Sequence, residues 1–170
     1  EIVIEPKMSF GTGHHETTFM MLQFILENNF EEKSVLDMGC GDGIISAWLA
    51  KRGHAVTAVD VSAFAAEACR RTLHENELNG TVLESDVYSA LDGERFDVIV
   101  SNPPFHQERD ISYGPSTRLI DEAPEHLNAK GQLILVANAF LPYPERLQRA
   151  LGGFETLSDN RRFRVYRATK

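Results

Sequence analysis

Val35-Leu36-Asp37-Met38-Gly39-Cys40-Gly41-Asp42-Gly43 runs from apolar residues through an acid into three alternating glycines, the pattern of a strand entering a ligand-binding turn. Without a Cβ, Gly39, Gly41 and Gly43 let the backbone turn tightly and approach a ligand closely, before a helix predicted to start at Ile44. Spacing narrows the ligand. A dinucleotide fingerprint, G-x-G-x-x-G, requires its third glycine one position later, and the Gly-Lys-Ser/Thr ending of a phosphate-cradling loop is absent. NAD, FAD, ATP and GTP are therefore disfavoured, and a nucleoside-like ligand remains.

A second carboxylate supports that ligand. Ala55-Val56-Thr57-Ala58-Val59-Asp60 reads as a short strand ending in an acid, where doubly wound folds place the acceptor for ribose hydroxyls. Asp37 has two readings: contact with the ligand through water, or bracing of the turn.

Composition bounds the reading. The 170 residues, 42% hydrophobic and 25% charged, suit one globular domain with a real core. No apolar stretch approaches the ~20 residues needed to cross a membrane and no basic-then-apolar leader opens the chain, so a cytoplasmic protein, expected to be a monomer, is implied. Cys40 and Cys69 form no C-x-x-C pair, which predicts reduced thiols and no zinc site. The formal net charge of −8 opposes a nucleic acid partner for the chain as a whole. Arg161, Arg162, Arg164, Arg167 and Lys170 nonetheless form a basic C-terminal cluster, either phosphate-binding or simply solvated. His14, His15 and Glu16 are adjacent and lack a fourth partner, so no metal is expected.

Alternation of strands and helices without repeats predicts an α/β fold, with strands near 34–38, 55–60, 81–85, 96–101 and 131–137. A closing antiparallel pair is predicted near 154–158 and 162–168, around an Asp159-Asn160 turn. Ala65, Ala68, Cys69, Thr72 and Leu73 follow helical spacing, with Ser62 as N-cap and Gly80 beyond the end. A helix from Pro115-Ser116 should be kinked or interrupted at Pro124. Phe19, Met20, Met21, Leu22, Phe24, Ile25 and Leu26 predict a helix apolar nearly all round and therefore buried.

Phe96-Asp97-Val98-Ile99-Val100 leads into Ser101-Asn102-Pro103-Pro104-Phe105. Two prolines stiffen this turn at the carboxyl edge of the sheet, where open α/β sheets bind ligands.

Asp-x-Gly-x-Gly-x-Gly followed by Asp60 resembles the class I S-adenosylmethionine-dependent methyltransferases, a Rossmann-like fold with a seven-stranded, mostly parallel sheet, an antiparallel C-terminal strand and helices on both faces. Asn-Pro-Pro-aromatic resembles the amine-methylating members, in which the Asn and nearby backbone oxygens accept hydrogen bonds from a planar amine while the aromatic ring stacks on the base. The resemblance assigns Asn102, Pro103, Pro104 and Phe105 to the acceptor, and Asp37, Gly39, Gly41, Gly43, Asp60, Val61, Asp86, Val87 and Asn102 to the cofactor. A sulfonium is an activated methyl donor, so alignment suffices and no general base is assigned. His106 could shuttle a proton or merely be solvated.

Two more specific resemblances divide the chain. From Ile44 onward, Ser85-Asp86-Val87-Tyr88-Ser89, Ser101 to His106, Val136-Ala137-Asn138-Ala139-Phe140-Leu141-Pro142-Tyr143 and Arg162 to Ala168 resemble the small-subunit ribosomal RNA guanine-N2 methyltransferases. Residues 1–43, with Glu5-Pro6-Lys7-Met8-Ser9-Phe10-Gly11-Thr12-Gly13-His14-His15-Glu16-Thr17-Thr18, resemble the methyltransferases of a large-subunit ribosomal protein, and imply that Phe10 and Thr12 cover the cofactor. The combination, with no initiator Met, points to an engineered chimera joined near Gly43. The expected reaction is guanine N2 methylation in ribosomal RNA or the small subunit. The alternatives are a chimeric scaffold that holds S-adenosylmethionine or S-adenosylhomocysteine without turnover, and a ribosomal protein amine methyltransferase.

Overall fold

The computed structural model describes residues 1–3, 16–28, 33–103 and 114–170. Seven strands form one sheet: β1 (Ser34–Met38), β2 (Ala55–Asp60), β3 (Thr81–Glu84), β4 (Phe96–Ser101), β5 (Leu127–Asn138), β6 (Glu155–Asp159) and β7 (Phe163–Thr169). Their order is β3-β2-β1-β4-β5-β7-β6. β1 to β5 pair in parallel, and β7 lies antiparallel between β5 and β6. The predicted class and strand count hold.

Alternation along each strand sends neighbours to opposite faces. Leu36, Ile99 and Leu135 pack with Leu119 of α4 (Pro115–Glu122) and Leu147 of α5 (Tyr143–Leu151). Val35, Val98 and Ile134 pack with Met21 and Ile25 of α1 (Glu16–Glu27) and with Leu49 of α2 (Ile44–Lys51). Ala58 and Val82 meet Ala66, Cys69 and Leu73 of α3 (Ala63–Glu75). Helices thus cover both faces, and the strand tips at the carboxyl edge remain for a site.

Several boundaries differ from expectation for local reasons. Ser62 caps α3 as predicted, accepting from the Ala65 N–H at 3.2 Å, but the helix stops at Glu75, well short of Gly80. Pro124 lacks an N–H for the α pattern, so α4 ends at Glu122 and a 3₁₀ turn, Ala123–His126, carries the chain into β5, which begins four residues earlier than predicted. The helix α5 was not anticipated, although Tyr143, Leu147, Ala150 and Leu151 recur at i, i+4, i+7 and i+8 and form the face that packs on the core. Helix α1 is two-sided: Met20, Met21, Phe24 and Ile25 are buried while Phe19 and Leu26 are exposed, correcting the expectation of burial all round.

Gly43 has a packing role. It ends the glycine turn in a left-handed conformation, φ +86°, and a Cβ there would lie 2.8 Å from Cys69 Sγ and 3.0 Å from Cys69 Cα of α3. Gly39, also left-handed, would place a Cβ with nothing within 4 Å. Gly43→Ala is accordingly expected to lower stability by roughly 2–4 kcal/mol through overpacking and backbone strain, and Gly39→Ala by about 1–2 kcal/mol from strain alone. Denaturant midpoints measure both; equal losses would remove the packing role.

Candidate functional site

The carboxyl tips of β1, β2, β3 and β4 converge on one cavity of about 810 Å³, in the upper part of the range for small-molecule sites, roughly 300–1,000 Å³. Its lining includes Gly39, Cys40, Gly41, Asp60, Val61, Phe64, Asp86 and Val87 around the tips of β1 to β3, and Thr18, Asn102, Pro103, Asn138 and Phe163 around α1, β4, β5 and β7.

The glycine turn is held by the neighbouring strand. The N–H groups of Gly39 and Cys40 both donate to the Val59 carbonyl, at 2.8 and 2.9 Å. Gly41 N–H donates to Asp60 Oδ2 at 3.0 Å, and Ser62 N–H to Asp60 Oδ1 at 2.9 Å. Asp60 therefore fixes the turn and the start of α3 together, while each oxygen keeps a lone pair for a ligand hydroxyl. Val61 and Phe64 present apolar surface beside it, both 68% exposed. Phe64 was not anticipated, although its place outside the 65/68/69/72/73 stripe of α3 is a readable sign.

Asp86 lies at the tip beyond β3, paired through Oδ2 with Arg118 Nη1 at 2.9 Å. A ligand amine would meet an acid already partly engaged. Val87 is buried with φ +53°, an unusual conformation for a β-branched residue. Ser85 maintains it, its hydroxyl donating to the Val87 carbonyl at 2.7 Å and accepting from Ala90 N–H at 3.0 Å. Such strain concentrates at functional sites.

Asp37 stands apart from the cavity. It is buried, 1% exposed, and its Oδ2 accepts from the Ser46 hydroxyl of α2 at 2.5 Å. Of its two readings, the geometry favours bracing: the carboxyl anchors α2 beneath the turn. Gly43 is likewise absent from the cavity wall, because its open side faces Cys69. Burial pushes Asp37 up to about 7, opposed by the Ser46 hydrogen bond, and burial pushes Asp42 up to about 6. At these two carboxyls the folded chain holds protons that the unfolded chain releases, so their contribution to stability is fully present below the unfolded value of 3.8 and is lost as pH rises toward 7. Asp37→Asn is expected to flatten that decline in denaturation series across about pH 4 to 8, leaving the smaller share from Asp42. An unchanged slope would exclude Asp37 as its source.

Asn102 is brought to the glycine turn by register. Met38 pairs with Ser101, whose hydroxyl donates to the Met38 carbonyl at 2.9 Å, joining the tips of β1 and β4. Asn102 Nδ2 donates to Thr18 Oγ1 of α1 at 3.2 Å, which leaves Oδ1 as an acceptor. Pro103 follows in the cavity wall. Pro104, Phe105 and His106, like Phe10, Thr12, His14 and His15, lie outside the described residues. Among the described residues no three His, Cys, Asp or Glu side chains gather as metal ligands, and no helix is long and apolar enough to cross a membrane. Cys40 and Cys69 are free and buried.

The family model of the methyltransferase small domain matches residues 6–167. The chain belongs to that family. Among curated methyltransferase relatives, the ribosomal RNA small subunit methyltransferase C of Chromohalobacter salexigens is 58% identical over 136 residues, covering 80% of this chain and 40% of the relative. The protein of the same name from Haemophilus influenzae (strain PittEE) is 43% identical over 159 residues, covering 92% and 48%. The chain thus spans less than half the length of these relatives. Among solved structures, the T. thermophilus 16S rRNA N2 G1207 methyltransferase in complex with AdoMet and guanosine superposes with a TM-score of 0.87 at 30% identity, over 95% of this chain and 45% of that one. A ribosomal protein L11 methylase from Lactobacillus delbrueckii subsp. bulgaricus gives 0.78 at 25% identity, over 99% and 85%.

These matches bear on the expected junction. The family model runs uninterrupted across Gly43, and the Haemophilus influenzae match takes in 92% of the chain. Neither gives support to a chimera. Both kinds of solved structure superpose over almost the whole chain.

Proposed function

We propose that this methyltransferase domain binds S-adenosylmethionine and transfers its methyl group to the exocyclic N2 of a guanine in small-subunit ribosomal RNA. The observation that carries the reading is the Asn102-Pro103 turn beside the glycine turn, in one cavity and with the Asn102 amide already oriented. The relatives named for ribosomal RNA methylation, and the neighbour solved with AdoMet and guanosine, support the same assignment. Action on ribosomal RNA implies the cytoplasm as the place of work.

The residues fit the cofactor. Asp60 would accept the sugar hydroxyls, Val61 and Phe64 would cover the base with apolar surface, and Asp86 would accept its amino group. Gly39, with open space where a Cβ would stand, admits a ligand against the main chain. When bound, the cofactor supplies a methyl group on a sulfonium, which needs no protein nucleophile. Asn102 Oδ1 would accept a hydrogen bond from the target amine and direct its lone pair toward the donor, the amine's proton leaving to solvent after transfer. Thr18 takes the amide nitrogen's hydrogen bond, leaving the oxygen for the acceptor. Pro103, with φ fixed, keeps the turn from swinging away.

Labelled methyl transfer to deproteinised ribosomal RNA, to small subunits and to large-subunit protein tests the reading. Label in guanine N2 supports it. Label in the protein would support amine methylation of protein, which Asn102-Pro103 disfavours. Cofactor binding by calorimetry with no acceptor labelled would support the scaffold reading instead.

A further inference from the structure

The cavity wall farthest from the glycine turn belongs to the C-terminal hairpin. Because β7 runs against β5, its beginning lies at the ligand edge, Phe163 pairing with Asn138. The turn before it is fixed by its own side chains: Asp159 Oδ1 accepts Arg161 N–H at 2.7 Å, and Asn160 Oδ1 accepts the N–H groups of Arg162 and Phe163 at 3.1 and 2.8 Å. Asn160 Nδ2 also donates to Glu16 of α1 at 2.7 Å. The rim is therefore a rigid platform.

The five basic residues of this region separate into two groups. Arg164 is paired with Asp159 and Arg167 with Glu155, at 2.8 and 2.7 Å. Lys170 donates to the carbonyls of Pro124 and Leu127, at the opposite end of β7 from the cavity. Arg161 and Arg162 stand on the fixed turn at the ligand edge, and Arg162 lines the cavity. Its side chain is 76% exposed, 3.4 Å from Glu16 Oε2, with the guanidinium 5.4 Å from the centre of the Phe163 ring. One loose pairing leaves most of its five N–H donors available. In a chain of net charge −8, Arg162 on the cavity wall and Arg161 beside it on the turn bring positive charge to this edge, set against Glu16 and Asp159.

We infer that Arg162, assisted by Arg161, binds a backbone phosphate flanking the nucleotide whose base enters the cavity. This deepens the reading of the site as a guanine methyltransferase and rests on it. The contact sets register and selects a polynucleotide over a free base, while the base edge remains the business of Asn102. A lysine acceptor would meet like charge at the same rim.

The test uses a pentaribonucleotide with central guanosine, made with ordinary phosphodiesters or with uncharged methylphosphonate links on both sides of the guanosine, binding to the domain saturated with S-adenosylhomocysteine. The wild type is expected to bind the charged form roughly 5- to 10-fold more tightly. Arg162→Gln is expected to lose most of that preference and to make the salt dependence shallower, Arg161→Gln to lose part, and Arg162→Lys to retain part. Arg167→Gln, at the far end of the strand, should behave as wild type. Equal binding of the two oligonucleotides by the wild type, or an undiminished preference in Arg162→Gln, would overturn the phosphate contact while leaving the guanine reading intact. Failure of both oligonucleotides to bind while S-adenosylhomocysteine does would overturn both.

Discussion

Asn102→Ala is expected to reduce methyl transfer on the order of 10²-fold or more while leaving the dissociation constant of S-adenosylhomocysteine nearly unchanged. The side chain sits beyond β4, is anchored by Thr18 and touches neither Asp60 nor the glycine turn through any hydrogen bond found among the described residues. Its removal leaves the cofactor half of the cavity as built and takes away the acceptor that orients the amine. Rapid-quench turnover together with calorimetry separates the two effects. Undiminished turnover would show that the target amine is held by other groups. A parallel loss of cofactor affinity would show that Asn102 belongs to the donor half instead.

Asp60→Ala is expected to act in the opposite order, weakening cofactor binding first. Loss of charge-assisted hydrogen bonds to the sugar is worth roughly 1.5–3 kcal/mol, or about 10- to 150-fold in affinity. The substitution also strips the acceptor from Gly41 N–H and Ser62 N–H, so the glycine turn and the first turn of α3 loosen together. Asp60→Asn, which keeps one oxygen, should fall between wild type and alanine. Calorimetric titration with S-adenosylhomocysteine at several cofactor concentrations is the measurement, and an unaltered affinity would move the sugar to another part of the cavity.

The sequence revealed the parts of this molecule in which local chemistry and global fold agree. Strands β1, β2 and β4 fall within the predicted limits, because each is an apolar run closed by a turn or by an acid. What it could not reveal were decisions made between elements. That Gly43 packs against α3 with no room for a Cβ depends on Cys69, 26 residues away and invisible as a neighbour in the sequence. That Asp37 braces α2 depends on Ser46 arriving beneath it. The value of Arg162 over Arg167 follows only from the direction of β7, since the two residues look alike in the chain and lie toward opposite edges of the sheet. Thr18 illustrates the same limit: its segment carried a family resemblance, but its contact with Asn102 joins positions 84 apart.

The reversed direction of β7 has an evolutionary corollary. The groups proposed to hold the methyl donor hang from β1, β2 and β3, whereas the far rim is an edge hairpin whose turn is stabilised largely by its own residues. The contacts to the chain flanking the target base can therefore drift through a handful of replacements in one peripheral loop, while Asn102 and the strands that hold the donor stay as they are.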